Sequence, residues 1–200
     1  MKLGGLLTVC TLLATTGCRF EHHETRTDSN NVKFATPFGG LNVKTDAKSA
    51  QTGIGLTQYP GAVLSTKNNE GKEDGVADVN LSFGGLHLGI KALKYQSADA
   101  PQKVIAFYRQ DMAKYGKVIL CHGHSPVGQP DRTQDGLTCD SDGGNSKTIE
   151  IDGDSGQDKL KAGSRQHQHI VSMEPHNGGT KIALVMLDLP GNMGGDDSKD

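Results

Sequence analysis

Tryptophan is absent from the 200 residues, aromatic side chains amount to only 4%, and no apolar run reaches the length of a membrane-spanning helix. The scarcity of aromatics, set against 27 glycines, argues against a helical bundle and for short strands joined by tight turns. Charge of one sign is lacking too. The 21 basic and 23 acidic residues leave a net charge of -2, and the basic ones are scattered, so the chain carries no electrostatic footprint for nucleic acid. Nor is there a Walker-type phosphate loop, a dinucleotide-binding glycine fingerprint after a strand, or a pair of catalytic carboxylates. The expectation is a protein that is not an enzyme and holds no cofactor.

What is present begins at the N-terminus. Met1 and Lys2 give a short positive start, Leu3 to Leu13 an apolar stretch, and Ala14 to Gly17 small residues leading into Cys18. This is the three-part layout of a secretory signal covering residues 1–17. The segment Leu13-Ala14-Thr15-Thr16-Gly17-Cys18 resembles a bacterial lipobox, with Thr15 where Leu is commoner. The resemblance implies that Cys18 becomes the mature N-terminus and carries lipid on its thiol. A cysteine suits that role because its thiolate is the nucleophile that is alkylated. Cys10 does not suit it, since bulky Val9 precedes it.

Cleavage leaves 183 residues, enough for one domain. Residues 18–31 are polar without apolar periodicity and read as a tether; His22 and His23 lie in it without forming a metal site. The expected place is therefore the cell envelope, lipid-anchored and facing the periplasm. Arg19 and Phe20, rather than Asp, follow the cysteine, which favours the outer membrane over the inner.

Residues 32–190 read as a single α+β domain: a mostly antiparallel sheet, one main helix across it, and a small N-terminal hairpin. Two stretches share the core Phe-Gly-Gly-Leu, at Phe38–Leu41 and Phe83–Leu86. Gly-Gly between alternating runs is the chemistry of a two-residue hairpin turn with positive φ. For the second copy this pairs Phe83 with Leu86, Leu81 with Leu88 and Val79 with Ile90, all on one face. For the first it pairs Phe38 with Leu41, Thr36 with Val43 and Phe34 with Thr45, giving a satellite hairpin over 32–45.

Asp99 as a cap, Pro101 in the first turn and Gln102 three residues on predict a helix from Ala100 to about Tyr115, stopped by Gly116. Short strands are expected at Val118–His122, Gly136–Cys139 and Thr148–Ile151. Gln168–Glu174 and Thr180–Leu187 form a further hairpin through Asn177-Gly178, and the run Ile182–Leu187, apolar on both faces, marks a central strand. Gly191–Asp200 is a polar tail expected to be disordered. The set Thr36–Val43, Tyr59–Ala62, Phe107–Arg109 and Gln168–Val171 resembles a family of uncharacterised bacterial lipoproteins. That likeness implies location and an intact fold, not an activity.

Cys121 and Cys139 are the cysteines left in the mature domain, and an even pair in an oxidising compartment predicts a disulfide. Two His-x-His pairs, His122 with His124 and His167 with His169, supply the sharpest site candidate. Alternate residues of a strand share a face, so each pair could present two imidazoles to Zn or Cu. The reading favoured over metal is that His167 and His169 belong to a half-buried sheet face and that His122 and His124 stand at a loop mouth.

Gly153-Asp154-Ser155-Gly156 resembles the segment around a chymotrypsin-type nucleophile, but Gln157 replaces the next glycine and the run is that of a solvated loop. The oxygen-rich runs at Asp140, Asp142, Asn145 and at Asp152, Asp154, Asp158 miss the EF-hand pattern, with Ile151 where its glutamate would fall. The function expected is that of a non-catalytic binding or interaction module, attached to a membrane by its lipid and open to an envelope protein partner. A periplasmic metal-binding lipoprotein is the alternative.

Overall fold

The computed structural model describes residues 31–36, 39–65, 75–140 and 157–191. The signal, most of the tether, Cys18, the tail, Thr148–Ile151 and Ser155 lie outside the described residues. The elements in chain order are β1 (Asn31–Thr36), β2 (Gly39–Lys44), α1 (Ala47–Ile54), β3 (Val63–Leu64), β4 (Val76–Phe83), β5 (Leu86–Ser97), α2 (Pro101–Asp111), a 3-10 turn (Met112–Tyr115), β6 (Ile119–His122), β7 (Ser125–Pro126), β8 (Asp158–Gly163), β9 (His167–His176) and β10 (Gly179–Asp188). They form a ten-stranded sheet in the order β1-β2-β4-β5-β10-β9-β8-β6-β7, with β3 pairing separately on β5. Every ladder between these strands is antiparallel, so the class is α+β.

Two of the expected hairpins form in the expected way. Gly84 and Gly85, at φ 53° and 87°, make the turn between β4 and β5, and the register pairs Phe83 with Leu86, Leu81 with Leu88 and Val79 with Ile90. Positive φ at both central residues is what a twist-matched two-residue turn demands. Asn177 and Gly178 do the same between β9 and β10. β10 lies between β5 and β9, covered on both sides, as its unbroken apolar run requires.

The first hairpin is corrected. Thr36 pairs with Gly39, Ala35 with Gly40 and Phe34 with Leu41, so the Gly-Gly pair belongs to β2 rather than to the turn. Close packing explains the glycine: a Cβ on Gly39 would lie 2.1 Å from the Ser82 carbonyl oxygen of β4. Nor is this hairpin a satellite, because β2 pairs with β4 over six residues and continues the main sheet. No strand forms at Gly136–Cys139, where isolated bridges join Thr138 to Arg132 and Gly136 to Ser164.

Helix α1 adds to the single helix expected. Asp46 accepts from the backbone amides of Lys48 and Ser49, and Gly55 ends the helix at φ 68°. Helix α2 starts at its proline, with Ala100 rather than Asp99 as the N-cap and no side-chain capping bond. The Asp99 carboxylate instead takes the Tyr59 hydroxyl at 2.8 Å and the Lys103 ammonium at 2.9 Å. Asp111 at the other end accepts from the backbone amide of Thr57 at 2.9 Å and from its hydroxyl at 2.7 Å. The segment 55–62 is thus held against α2 at both ends.

Both helices cover the same side of the sheet. The row Leu93, Leu184, Val171 and Leu160 runs straight across β5, β10, β9 and β8 and is buried under Ile54, Val104, Tyr108 and Met112. The opposite side carries the row Ala77, Ala92, Val185, Ile170, Lys161 and Ile119. At its far end this side is covered by the segment 133–139. The Thr133 hydroxyl donates to the Gly163 carbonyl at 2.7 Å, and the Lys161 ammonium to the carbonyls of Thr138 and Cys139 at 3.2 and 3.3 Å. A disulfide joins Cys121 on β6 to Cys139, with a Cα separation of 5.5 Å, and both cysteines are buried beside Ile119.

The bond closes a loop of 18 residues in sequence, which in the chain-entropy account contributes about 3 kcal/mol. Replacing both cysteines by alanine is expected to lower the unfolding free energy by about that amount. Urea unfolding of the oxidised wild type and the double variant, followed by circular dichroism, measures it.

Candidate functional site

Of the four histidines proposed as ligands, His122 ends β6 while His124 lies in the two-residue turn that joins it to β7, since His122 pairs with Ser125. The two therefore do not share a strand face, as the metal-site alternative required, and stand instead at a turn, as the favoured reading had it. His122 Nδ1 meets Asp158 Oδ1 across the strand at 2.8 Å.

His167 and His169 do share a face of β9, yet their rings go to different partners. His167 Nδ1 meets Asp188 Oδ1 at 2.8 Å in an exposed pair. His169 stacks on Tyr115, with ring centroids 3.5 Å apart and planes 10° off parallel. Lys114 sits over the other side of that arrangement, 5.3 Å from the Tyr115 centroid, and the Tyr115 hydroxyl is fixed by a 2.7 Å bond to the Gly55 carbonyl. Among the described residues no group of three or more His, Cys, Asp or Glu is gathered where it could hold a metal ion.

Burial holds the His169 imidazole below the usual histidine range, with the charges of Lys114 and His167 acting in the same direction. Its Nδ1 is buried without a hydrogen-bond partner. A base whose folded-state pKa is depressed binds its proton more readily in the unfolded chain. Stability from this group is complete above about pH 6.5 and falls as the pH drops toward the lower folded value. Chemical denaturation between pH 7.5 and about 5 should show that fall, and His169→Gln should show a flatter profile over the same window.

A second polar cluster lies under α1. Asp78 on β4 meets the Lys91 ammonium of β5 at 2.7 Å, takes the Asn80 amide at 2.8 Å and the Ser49 hydroxyl at 3.3 Å, and its side chain is 2% exposed. Burial acts to raise the pKa of this carboxyl, but the Lys91 hydrogen bond and charge, with Asn80 and Ser49, outweigh burial and hold it below the usual range. The cluster is closed, each group being spent on another, and it ties α1 to the sheet. Lys91→Met should cost about 3 kcal/mol because it strands a buried carboxylate, and adding Asp78→Leu should recover most of the loss. Thermal unfolding of the two variants decides it.

The remaining feature is the second side of the sheet at its N-terminal end. Alternation along β1, β2, β4 and β5 puts Val32, Leu41, Val43, Val79, Leu81, Phe83, Leu86, Leu88 and Ile90 on one face. Of these, Val32 is 62% exposed, Phe83 59%, Leu86 40% and Leu81 39%. Both described helices are on the opposite side, and the segment 133–139 covers only the β8–β6 end. Comparison with protein-family models, with curated proteins and with solved structures finds no match. The case for function therefore rests on this chain's own surface.

Sequence reasoning put Val79, Leu81, Phe83, Leu86, Leu88 and Ile90 on one face but set the first hairpin apart as a satellite, and did not recognise that Phe83, Leu86 and Leu81 are exposed. Periodicity reports which side chains share a side, and says nothing of whether another layer lies over them. The two-residue turn itself was the available signal: Phe83 and Leu86 flank it, and a hairpin tip extends beyond whatever covers the body of the sheet.

Proposed function

We propose that this protein is an exported, lipid-anchored component of the bacterial cell envelope that acts as a non-catalytic interaction module, with the apolar wing of β1, β2, β4 and β5 as its contact surface. The observation that carries the reading is the exposure of Phe83, Leu86, Leu81 and Val32 on one continuous face. Scattered surface apolar residues need no explanation, whereas a contiguous set on a flat element marks a contact site. The signal-like N-terminus and the lipobox-like segment ending at Cys18 support the anchor. The domain faces the periplasm, and the residues after Cys18 favour the outer membrane. An oxidising periplasm also suits a disulfide between Cys121 and Cys139.

Two measurements test the reading. Cells fed a labelled fatty acid should incorporate it into the wild-type chain and not into Cys18→Ala; a wild type free of label removes the anchor. The double variant Phe83→Ser, Leu86→Ser should unfold within about 0.5 kcal/mol of wild type, because both residues are exposed. The same variant should lose the envelope association that the wild type shows in cross-linking. An unaltered cross-linking pattern would rule out the wing as the contact surface.

A further inference from the structure

The wing carries an excess of positive charge, with Lys33, Lys44 and Lys91 on the helix side of the sheet and Lys94 on the apolar side. The four strands of the wing carry Lys33, Lys44, Lys91 and Lys94 against a single acidic residue, Asp78, which is itself paired with Lys91. The wing thus bears a net charge of +3 within a chain whose total is -2, so the acidic excess lies elsewhere. Around the exposed tip the neighbours of Phe83 and Leu86 are Ser82, Gly84, Gly85 and His87, none of them acidic. An apolar face on a group of strands with a basic excess suits contact with anionic lipid.

Covalent geometry supplies the second argument. β1 opens the wing at Asn31, thirteen residues after Cys18, and a chain of that length reaches at most about 45 Å even when fully extended. A lipid on Cys18 therefore confines the wing to the neighbourhood of the bilayer, at an effective concentration that turns a weak surface affinity into a standing contact. β1 is the first element of the sheet and its outermost strand, so the tethered end and the apolar face are on the same part of the molecule.

We infer that the occupant of the open face is the anionic phospholipid bilayer that carries the protein's own anchor. Phe83 and Leu86 at the β4–β5 tip enter the region between headgroups and acyl chains, and Val32 and Leu81 follow behind them. Lys33 and Lys44 lie on the other side of a single sheet layer, so the wing's positive field reaches headgroup phosphates weakened by screening over about 8 Å. The contact would fix the orientation of the domain and leave the helix side turned to the periplasm. This inference rests on the lipid-anchor reading above and goes further by naming the partner of the wing.

The test uses the full lipidated chain reconstituted into vesicles of phosphatidylethanolamine and phosphatidylglycerol, after its intact mass has been measured. An environment-sensitive dye is attached through Phe83→Cys in one preparation and through Gln110→Cys, on the exposed side of α2, in another. The expected result is strong quenching of the dye at position 83 by quenchers carried on lipid acyl chains and none at position 110. The quenching at position 83 should weaken at least threefold when phosphatidylcholine replaces phosphatidylglycerol or when salt is raised to about 1 M.

A chain with lipid on Cys18 whose dye at position 83 stays open to aqueous iodide overturns the inference and leaves the anchor standing. A mass without lipid overturns both. Shielding of position 83 from iodide without acyl-chain quenching assigns the face to a protein surface instead: to a second copy if it grows with protein density in the vesicle, and to another protein if it appears only in native membranes. As a control on the labelled tip, the unlabelled chain should show amide-exchange protection over residues 79–90 on anionic vesicles, and equal exchange with and without vesicles overturns the inference independently.

Discussion

The ladder between β5 and β10 is the joint on which the rest of the molecule depends. Nine residues of each strand pair there, from Thr180 opposite Ser97 to Asp188 opposite Gly89. On one side of it β1, β2 and β4 continue the sheet from β5; on the other, β9, β8, β6 and β7 continue it from β10. The helix side of the ladder supplies Leu93 and Tyr95 against Leu184 and Ile182, which form the floor for both helices. Because that floor is shared, the two halves bury apolar surface jointly, and apolar burial is the dominant favourable contribution to a fold of this size.

The same joint explains why the two sides of the sheet end up so differently dressed. Helix α2 leaves β5 at Ser97 and crosses to β6, and α1 leaves β2 and returns through β3, both on one side. The other side depends, among the described residues, on the segment closed by Cys121 and Cys139, which lies over β6 and β8. Ile170, Val185 and Leu187 still find one another near the centre of that side. Toward β1 no described residue outside the sheet covers that side, while the apolar alternation continues. A strand pattern that keeps its apolar face beyond its own core is a pattern made for contact with something else.

Among the described residues, carboxylates are engaged in pairs. Asp78 is spent on Lys91, Asn80 and Ser49; Asp99 on Tyr59 and Lys103; Asp111 on Thr57 and Lys114. In each case a carboxylate ties one element to another. His122 and His167 each meet an aspartate from the adjacent strand, and His169 is stacked on Tyr115. The histidines that looked gathered in the sequence are dispersed because cross-strand neighbours, not sequence neighbours, choose their partners.

Local chemistry by itself determined the β4–β5 and β9–β10 hairpins, the position of β10 as a covered central strand, the start of α2 at its proline, and the two cysteines that bond. Each depends on a turn residue, a cap or a periodicity that acts within a few positions. Asp46 and Gly55 announced α1 in the same local language, although the helix was not read from them. Only the tertiary structure decided the first hairpin. In its observed register Thr36 faces Gly39 where Val43 was expected, a slip of four residues that leaves every side chain on the same face and is therefore invisible to apolar patterning. What selects it is the approach of β4, whose Ser82 carbonyl leaves no room for a side chain at Gly39. Whether an apolar face is buried or open is likewise decided by which other layers reach it, and no stretch of sequence carries that information alone.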